Sequence, residues 1–166
     1  LTDSATYSPS CPVARASIQR WDIETDVVVV GFGGAGATAA LEAARGGARV
    51  TLLEAASGHG GASALSGGEI YMGGSGGTPI QRAFGFEDAT EDMYQYLLLS
   101  TGPNADEAKV RLYADQSLEH YGWLTAQGIE YKTSYIAERI VEPVTDDCLI
   151  WSGSEEAWPF AQRAKP

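Results

Sequence analysis

Residues 26–54, DVVVVGFGGAGATAALEAARGGARVTLLE, change their hydrophobic period twice, and that change decides the fold. Residues 26–30 are a β-branched apolar run of the kind that fills a strand buried on both faces, as in a parallel sheet. The run passes directly into GFGGAG. ATAALEAARGG then reads as an alanine-dense helix ending at Gly46 and Gly47, where a left-handed residue can cap the last turn. ARVTLLE, residues 48–54, returns to a β-branched strand. A strand, helix and strand of about 30 residues, closed by a right-handed crossover, set two strands parallel and adjacent. The expected class is α/β with a parallel sheet.

Gly31, Gly33 and Gly36 form G-x-G-x-x-G, a pattern that arises often by chance. Here it follows an expected strand, opens an expected helix, and has an acid, Glu54, at the end of the next strand. Gly31 allows a tight turn, Gly33 lets backbone approach a pyrophosphate, and Gly36 lets helix and strand pack closely. The diphosphate would rest on the free N–H groups of the helix beginning near Gly36. Glu54 would accept from the adenosine ribose hydroxyls and repel a 2′-phosphate, which points away from NADP. The bland alternative, a mere strand-to-helix turn with an exposed acid, fits less well because strand, spacing, helix and acid agree.

Residues 58–77, GHGGASALSGGEIYMGGSGG, hold nine glycines in twenty positions. Gly60 and Gly61 with Ser63 can offer N–H groups and a hydroxyl to phosphate oxygens. Gly67 and Gly68 can lie flat where a Cβ would strike an aromatic ring system, which an isoalloxazine requires. Leu65, Ile70, Tyr71 and Met72 are too apolar for a solvated Gly/Ser tether. The stretch therefore selects FAD over NAD.

The remaining chain bounds the reading. With 166 residues, 44% hydrophobic and 10% aromatic, it holds about one domain's worth of core. A net charge of −11 opposes nonspecific binding to nucleic acid or anionic lipid. No run approaches the roughly 18 apolar residues of a membrane span, and a soluble, cytoplasmic protein is expected. Cys11 and Cys148 show neither disulfide-framework nor metal-site spacing, so no metal is expected. Residues 1–25 read as an N-terminal arm tied down at Trp21 and Ile23. Residues 88–101 read as a helix with Asp88 and Glu91 in capping-box spacing, and 105–127 as a second, with Asn104 as N-cap, Glu107 three residues on, and Gly128 as C-terminal cap. Val110, Leu112, Tyr113, Leu118, Tyr121 and Leu124 give the second an apolar stripe. IEYK, residues 129–132, reads as a short edge strand, and residues 133–166 as irregular, stopping at Pro166 as though cut.

Residues 26–54 followed by GGASALSGGEIYMGG resemble the amino-terminal FAD-binding part of flavoproteins related to fumarate reductase and 3-ketosteroid dehydrogenases. GGASALSGGEIYMGGSGGTPIQ, GIEYK and DDCLIWSGSEEAWPF are most similar to the 3-ketosteroid 4-dehydrogenase branch. The resemblance implies a Rossmann-like, glutathione reductase-type FAD-binding domain over 26–166, an incomplete portion of a larger two-domain flavoprotein whose substrate-capping domain is absent. It implies Gly31, Gly33, Gly34, Ala35, Gly36, Glu54 and Ala55 at the ADP end, with Gly60, Gly61, Ala62, Ser63, Leu65, Ser66, Gly67 and Gly68 along pyrophosphate and flavin. Family members often carry Lys after the ribose acid, where Ala55 stands here. Respiratory members attach FAD through a His that aligns with Gly61, so the FAD is expected to be noncovalent; His59 reads as a surface loop residue. Glu69 is unusual so near a flavin.

The chemistry implied is dehydrogenation beside a ketone of a steroid-like substrate: a base takes the α proton, an oxyanion donor stabilises the enolate, and the β-hydride passes to flavin N5. No residue here is assigned as acid or base. Tyr71, Tyr131 and Tyr135 read as packing aromatics, and the electron acceptor is left open. The alternatives are soluble, fumarate reductase-like reduction of an unsaturated carboxylate, and a nucleotide-binding module without activity.

Overall fold

The computed structural model describes residues 14–137, 150–151, 153–154 and 157–163. They divide into two compact units, with the boundary after Ser66.

The first unit is built on β1 (Val27–Val30), α1 (Gly34–Arg45) and β2 (Val50–Leu53). β1 and β2 pair in parallel, Val27 opposite Val50 and Val30 opposite Leu53. The helix begins at Gly34, inside the glycine fingerprint, three residues before the alanine run that suggested it. Its end is a Schellman motif: Gly47 takes φ +87°, its N–H bonds the Ala44 carbonyl, and the Ala48 N–H bonds that of Ala43. Only Gly47, not Gly46, needs the left-handed conformation.

Within the described residues the strand is covered on one face. Val27 and Val29 are half-buried, whereas Val28 and Val30 are 56% and 82% exposed and Leu53, opposite Val30, is 51% exposed. With α1 packed on the two strands, period-2 alternation puts the other valines on an open face. Trp21 and Ile23, expected to tie down the arm, are exposed too.

Ahead of the strands, Asp26 and Arg49 fix the register. The Arg49 N–H and Nε donate to Asp26 Oδ2 at 2.8 and 3.2 Å and Nη2 to Oδ1 at 3.1 Å, while the Asp26 and Val27 N–H groups donate to the Arg49 carbonyl. These bonds hold the Asp26 carboxyl below its ordinary range.

The second unit contains β3 (Ile70–Tyr71), α2 (Pro79–Ala83), α3 (Thr90–Thr101), α4 (Glu107–Ala126) and β4 (Ile150–Trp151). β3 pairs in parallel with β4, Ile70 opposite Ile150, so the carboxy-terminal stretch read as irregular supplies a strand. IEYK forms none. The core gathers Tyr71, Met93 and Ala114 with Tyr94, Tyr96 and Leu97, and Met72 is fully buried.

Helix starts differ from the sequence expectation. α3 begins at Thr90 with Ala89 as N-cap and no side-chain cap, and α4 takes Asp106, not Asn104, its side chain accepting from the Lys109 N–H. The capping box in this unit lies elsewhere, at Thr78 and Gln81 around Pro79. α4 ends as expected: Gly128 at φ +92° donates to Thr125, and Ile129 to Leu124. Its buried face is Ala114, Ser117 and Leu124, with Leu112 of the expected stripe 55% exposed. The two cysteines fall outside the described residues.

Because Asp26 titrates lower in the folded chain than in the unfolded one, its contribution to stability is full above about pH 4 and is lost as pH falls through the folded value. Asp26→Asn should therefore melt below wild type at pH 7, with the gap closing below about pH 4 in a series of thermal melts.

Candidate functional site

The fingerprint glycines divide by what surrounds them. Gly31 turns the chain at φ +95° as β1 ends, and its N–H donates to the Leu53 carbonyl at 2.7 Å. At Gly36 a Cβ would run into the Gly31 carbonyl and reach Val29 Cγ1 at 3.4 Å, so the first turn of α1 can lie against strand and turn only without a side chain there. Gly33, the N-cap of α1, has space: a Cβ there would meet only the Gly60 carbonyl, at 3.8 Å. The N–H groups at this helix start are bordered by the Gly60 backbone and the Ser63 hydroxyl, small or polar groups that leave room for a close anion.

Residues 60–66 come back onto this turn. Gly60 bridges Gly33 in parallel, its N–H donating to the Phe32 carbonyl at 2.7 Å. Gly60 and Gly61 take φ of +105° and +52° and lead into a 3-10 turn over Gly61–Leu65. There Ser63 Oγ accepts from the Gly34 N–H at 3.3 Å. This hydroxyl touches a free amide of the α1 N-terminus, the position from which it could share a phosphate oxygen. Ala35 lies within α1, and Ala55, Ala62, Leu65 and Ser66 are all exposed.

Glu54 closes the unit. Its Oε2 accepts from the Phe32 N–H at 2.7 Å and its Oε1 from the Ala56 N–H at 2.8 Å. These two amides, Ala56 first, hold the carboxyl below its ordinary range. Glu54 is thus anionic at neutral pH, fixed beside the first glycine turn, with lone pairs left for hydroxyl donors. Sequence reasoning found Glu54 and missed Phe32 and Ala56, which act through backbone amides that any residue would supply. His59 is exposed, with its ring 5.4 Å from that of Phe32.

Gly67 and Gly68 belong to the second unit. Gly68 takes φ +85° and a Cβ there would meet nothing, whereas one at Gly67 would strike the Glu69 carboxylate. Glu69 therefore folds back over the glycine two places before it. The tyrosines considered as candidates all pack against other rings. Tyr71 lies 5.1 Å from Tyr96 and accepts at its carbonyl from Tyr113 Oη, Tyr131 stacks on Tyr121 at 5.6 Å, and Tyr135 contacts Phe84 and Phe86 at 5.4 and 5.0 Å. Burial first, then Tyr121, raises the Tyr131 hydroxyl above its ordinary value.

Residues 26–155 match the family model described as FAD binding domain. The 3-oxo-5-alpha-steroid 4-dehydrogenase of Comamonas testosteroni is 40% identical over 144 residues, 86% of this chain but 26% of that protein. A crystal structure of 3-ketosteroid-delta4-(5alpha)-dehydrogenase from Rhodococcus jostii RHA1, in complex with 4-androstene-3,17-dione, superposes with a TM-score of 0.82 at 48% identity. It covers 93% of this chain and 32% of that one. An open-conformation flavocytochrome c3 fumarate reductase gives a TM-score of 0.57 at 34% identity, over 64% of this chain and 18% of that one. The chain thus spans about a quarter to a third of its steroid dehydrogenase relatives.

The two central glycines should respond differently to one methyl group. Gly36→Ala should cost on the order of 2–3 kcal/mol or prevent folding, while Gly33→Ala should stay within about 1 kcal/mol of wild type yet lose dinucleotide affinity. Thermal melts and FAD titration of the two variants check the contrast; equal melting losses would contradict it.

Proposed function

Because the chain belongs to the FAD binding domain family, we propose that residues 26–166 are the FAD-binding portion of a larger oxidoreductase that dehydrogenates a ketosteroid-like substrate. The portion is Rossmann-like, of the glutathione reductase type, and carries FAD noncovalently.

The observation that carries this reading is Glu54, held by the Phe32 and Ala56 amides beside a turn in which Gly36 must, and Gly33 need not, lack a side chain for packing. That arrangement fits the adenosine diphosphate half of the cofactor. Glu54 would accept from the ribose hydroxyls, and its charge disfavours a 2′-phosphate. The Gly33, Gly34, Ala35 and Gly36 amides, with the Gly60, Gly61, Ala62 and Ser63 turn, would take the pyrophosphate. The Ser63 hydroxyl already on the Gly34 amide supports this. Leu65, Ser66, Gly67 and Gly68 would border the flavin, with the open space at Gly68 in favour. Glycine at 61, where respiratory relatives are expected to carry the attaching His, supports noncovalent binding.

When bound, the flavin supplies a two-electron acceptor for hydrogen removed from carbons beside a ketone. What the first unit supplies is binding and orientation: an anionic anchor at Glu54 and amide donors at the start of α1. The steroid assignment rests on two 3-ketosteroid 4-dehydrogenase relatives at 40% and 48% identity, against 34% for the fumarate reductase. The groups that transfer protons are assigned to polypeptide outside this region, since the tyrosines here are engaged with other rings.

Reconstitution tests the reading. The purified chain mixed with FAD should retain flavin absorbance after desalting and release it on acid or denaturant treatment. Glu54→Ala should raise the dissociation constant at least about tenfold, roughly 1.4 kcal/mol, with a modest fall in the melting temperature of the free chain from the two amide bonds it gives up. Absence of retained flavin, or flavin that stays with the denatured chain, would refute the binding mode. Assay of a polypeptide of the relatives' full length with a 3-ketosteroid and with fumarate then separates the two chemistries.

A further inference from the structure

We propose that Tyr113 and Ser117 of α4 are positioning residues for the flavin: given that Gly67 and Gly68 border the ring system, as proposed above, these two side chains clamp the backbone just beyond them and set where the glycines meet it.

The clamp closes on both sides of one buried residue. Tyr113 Oη donates to the Tyr71 carbonyl at 2.7 Å, and the Gly73 N–H donates to Ser117 Oγ at 3.2 Å. Met72, between them, is fully buried. Residues four apart lie on one face of a helix, so a single turn of α4 reaches the carbonyl before Met72 and the amide after it. On the same turn the Ala114 carbonyl lies 3.3 Å from where a Cβ at Gly74 would stand. Ser117 is 2% exposed, and a hydroxyl so deeply buried is costly unless bonded; here it accepts from an amide. Desolvation, and then Tyr131, raises the Tyr113 hydroxyl above its ordinary value, so it remains a donor at neutral pH.

The segment needs such a hold. β3 has two residues and pairs with an equally short β4, and two short strands alone are marginal. Gly68 does not locate itself: it takes φ +85°, and a Cβ there would meet nothing. Tyr71 follows it by three residues, a reach of about 10 Å at most. The place of Gly68 therefore follows from where α4 pins Tyr71 and Gly73.

Titrations of the 166-residue chain with FAD and with ADP test the role, because ADP lacks the flavin. Tyr113→Phe should weaken FAD about three- to tenfold, the worth of one hydrogen bond. It should leave ADP affinity as in wild type and shift the visible circular dichroism of the bound flavin. Ser117→Ala should do the same, and it carries the comparison should Tyr113→Phe fail to fold. A merely structural pair would weaken both ligands together, or neither, and leave the flavin spectrum of wild type; either result overturns the role. Wild-type chain that retains no FAD refutes the cofactor reading itself, and the role falls with it.

Discussion

The first unit depends on the missing side chain at Gly36. Without a Cβ there, the first turn of α1 settles against the Gly31 carbonyl and Val29, and the helix N-terminus stays at the end of β1. That placement lets the Phe32 amide reach Glu54 across from β2 and brings Gly60 into register with Gly33. A methyl group at one position would displace the helix dipole, the acid and the returning loop together. Gly31 matters for a different reason: its φ of +95° is a conformation that L side chains seldom adopt.

The local order of this unit was legible because its signals are short-range. Strand, helix and strand follow from period changes within residues 26–54, and the helix stop at Gly47 from one left-handed residue. Burial depends on more than the residues of the strand. The β-branched run of β1 has the composition of a doubly covered strand, yet Val28 and Val30 lie open. Composition records what a strand can bury, whereas exposure depends on which layers are packed against it. The β3–β4 pairing was illegible for a related reason: two-residue strands far apart in sequence carry no period, and only tertiary packing pairs them.

The start of α3 shifted because its expected cap is engaged elsewhere. Asp88 has the right type and spacing to cap α3, but it is drawn into the network of Gln81 and the Gly73–Gly76 backbone, and Ala89 becomes the N-cap without a side-chain bond. A lost cap costs about 1 kcal/mol, against which stands the bond from Gln81 Nε2 to Asp88 Oδ2. Thr78, Pro79 and Gln81 had an equally good signature in the sequence, and there the box forms, with Gln81 Oε1 accepting from the Thr78 N–H while its Nε2 donates to Asp88.

The glycine-rich stretch is where structure most changes the meaning of composition. Residues 58–77 invite one reading, a seat cleared of side chains for a planar cofactor. The space around them divides them in two. A Cβ at Gly68 would meet nothing, whereas at Gly73, Gly74 and Gly77 it would meet Asp88, Thr90 and Gln81. The later glycines are therefore small because protein fills the volume a side chain would need. Gly73 and Ser75 are tied by the Ser117 and Thr90 hydroxyls, and Ser75 itself holds φ +51°. A non-glycine residue persists there only when its neighbours over-determine the backbone. The same residue type thus serves openness at Gly58, Gly68 and Gly76 and tight packing at Gly60, Gly67, Gly73, Gly74 and Gly77. At Gly73, Gly74 and Gly77 the tight packing builds the wall against which the Asp88 carboxylate is held.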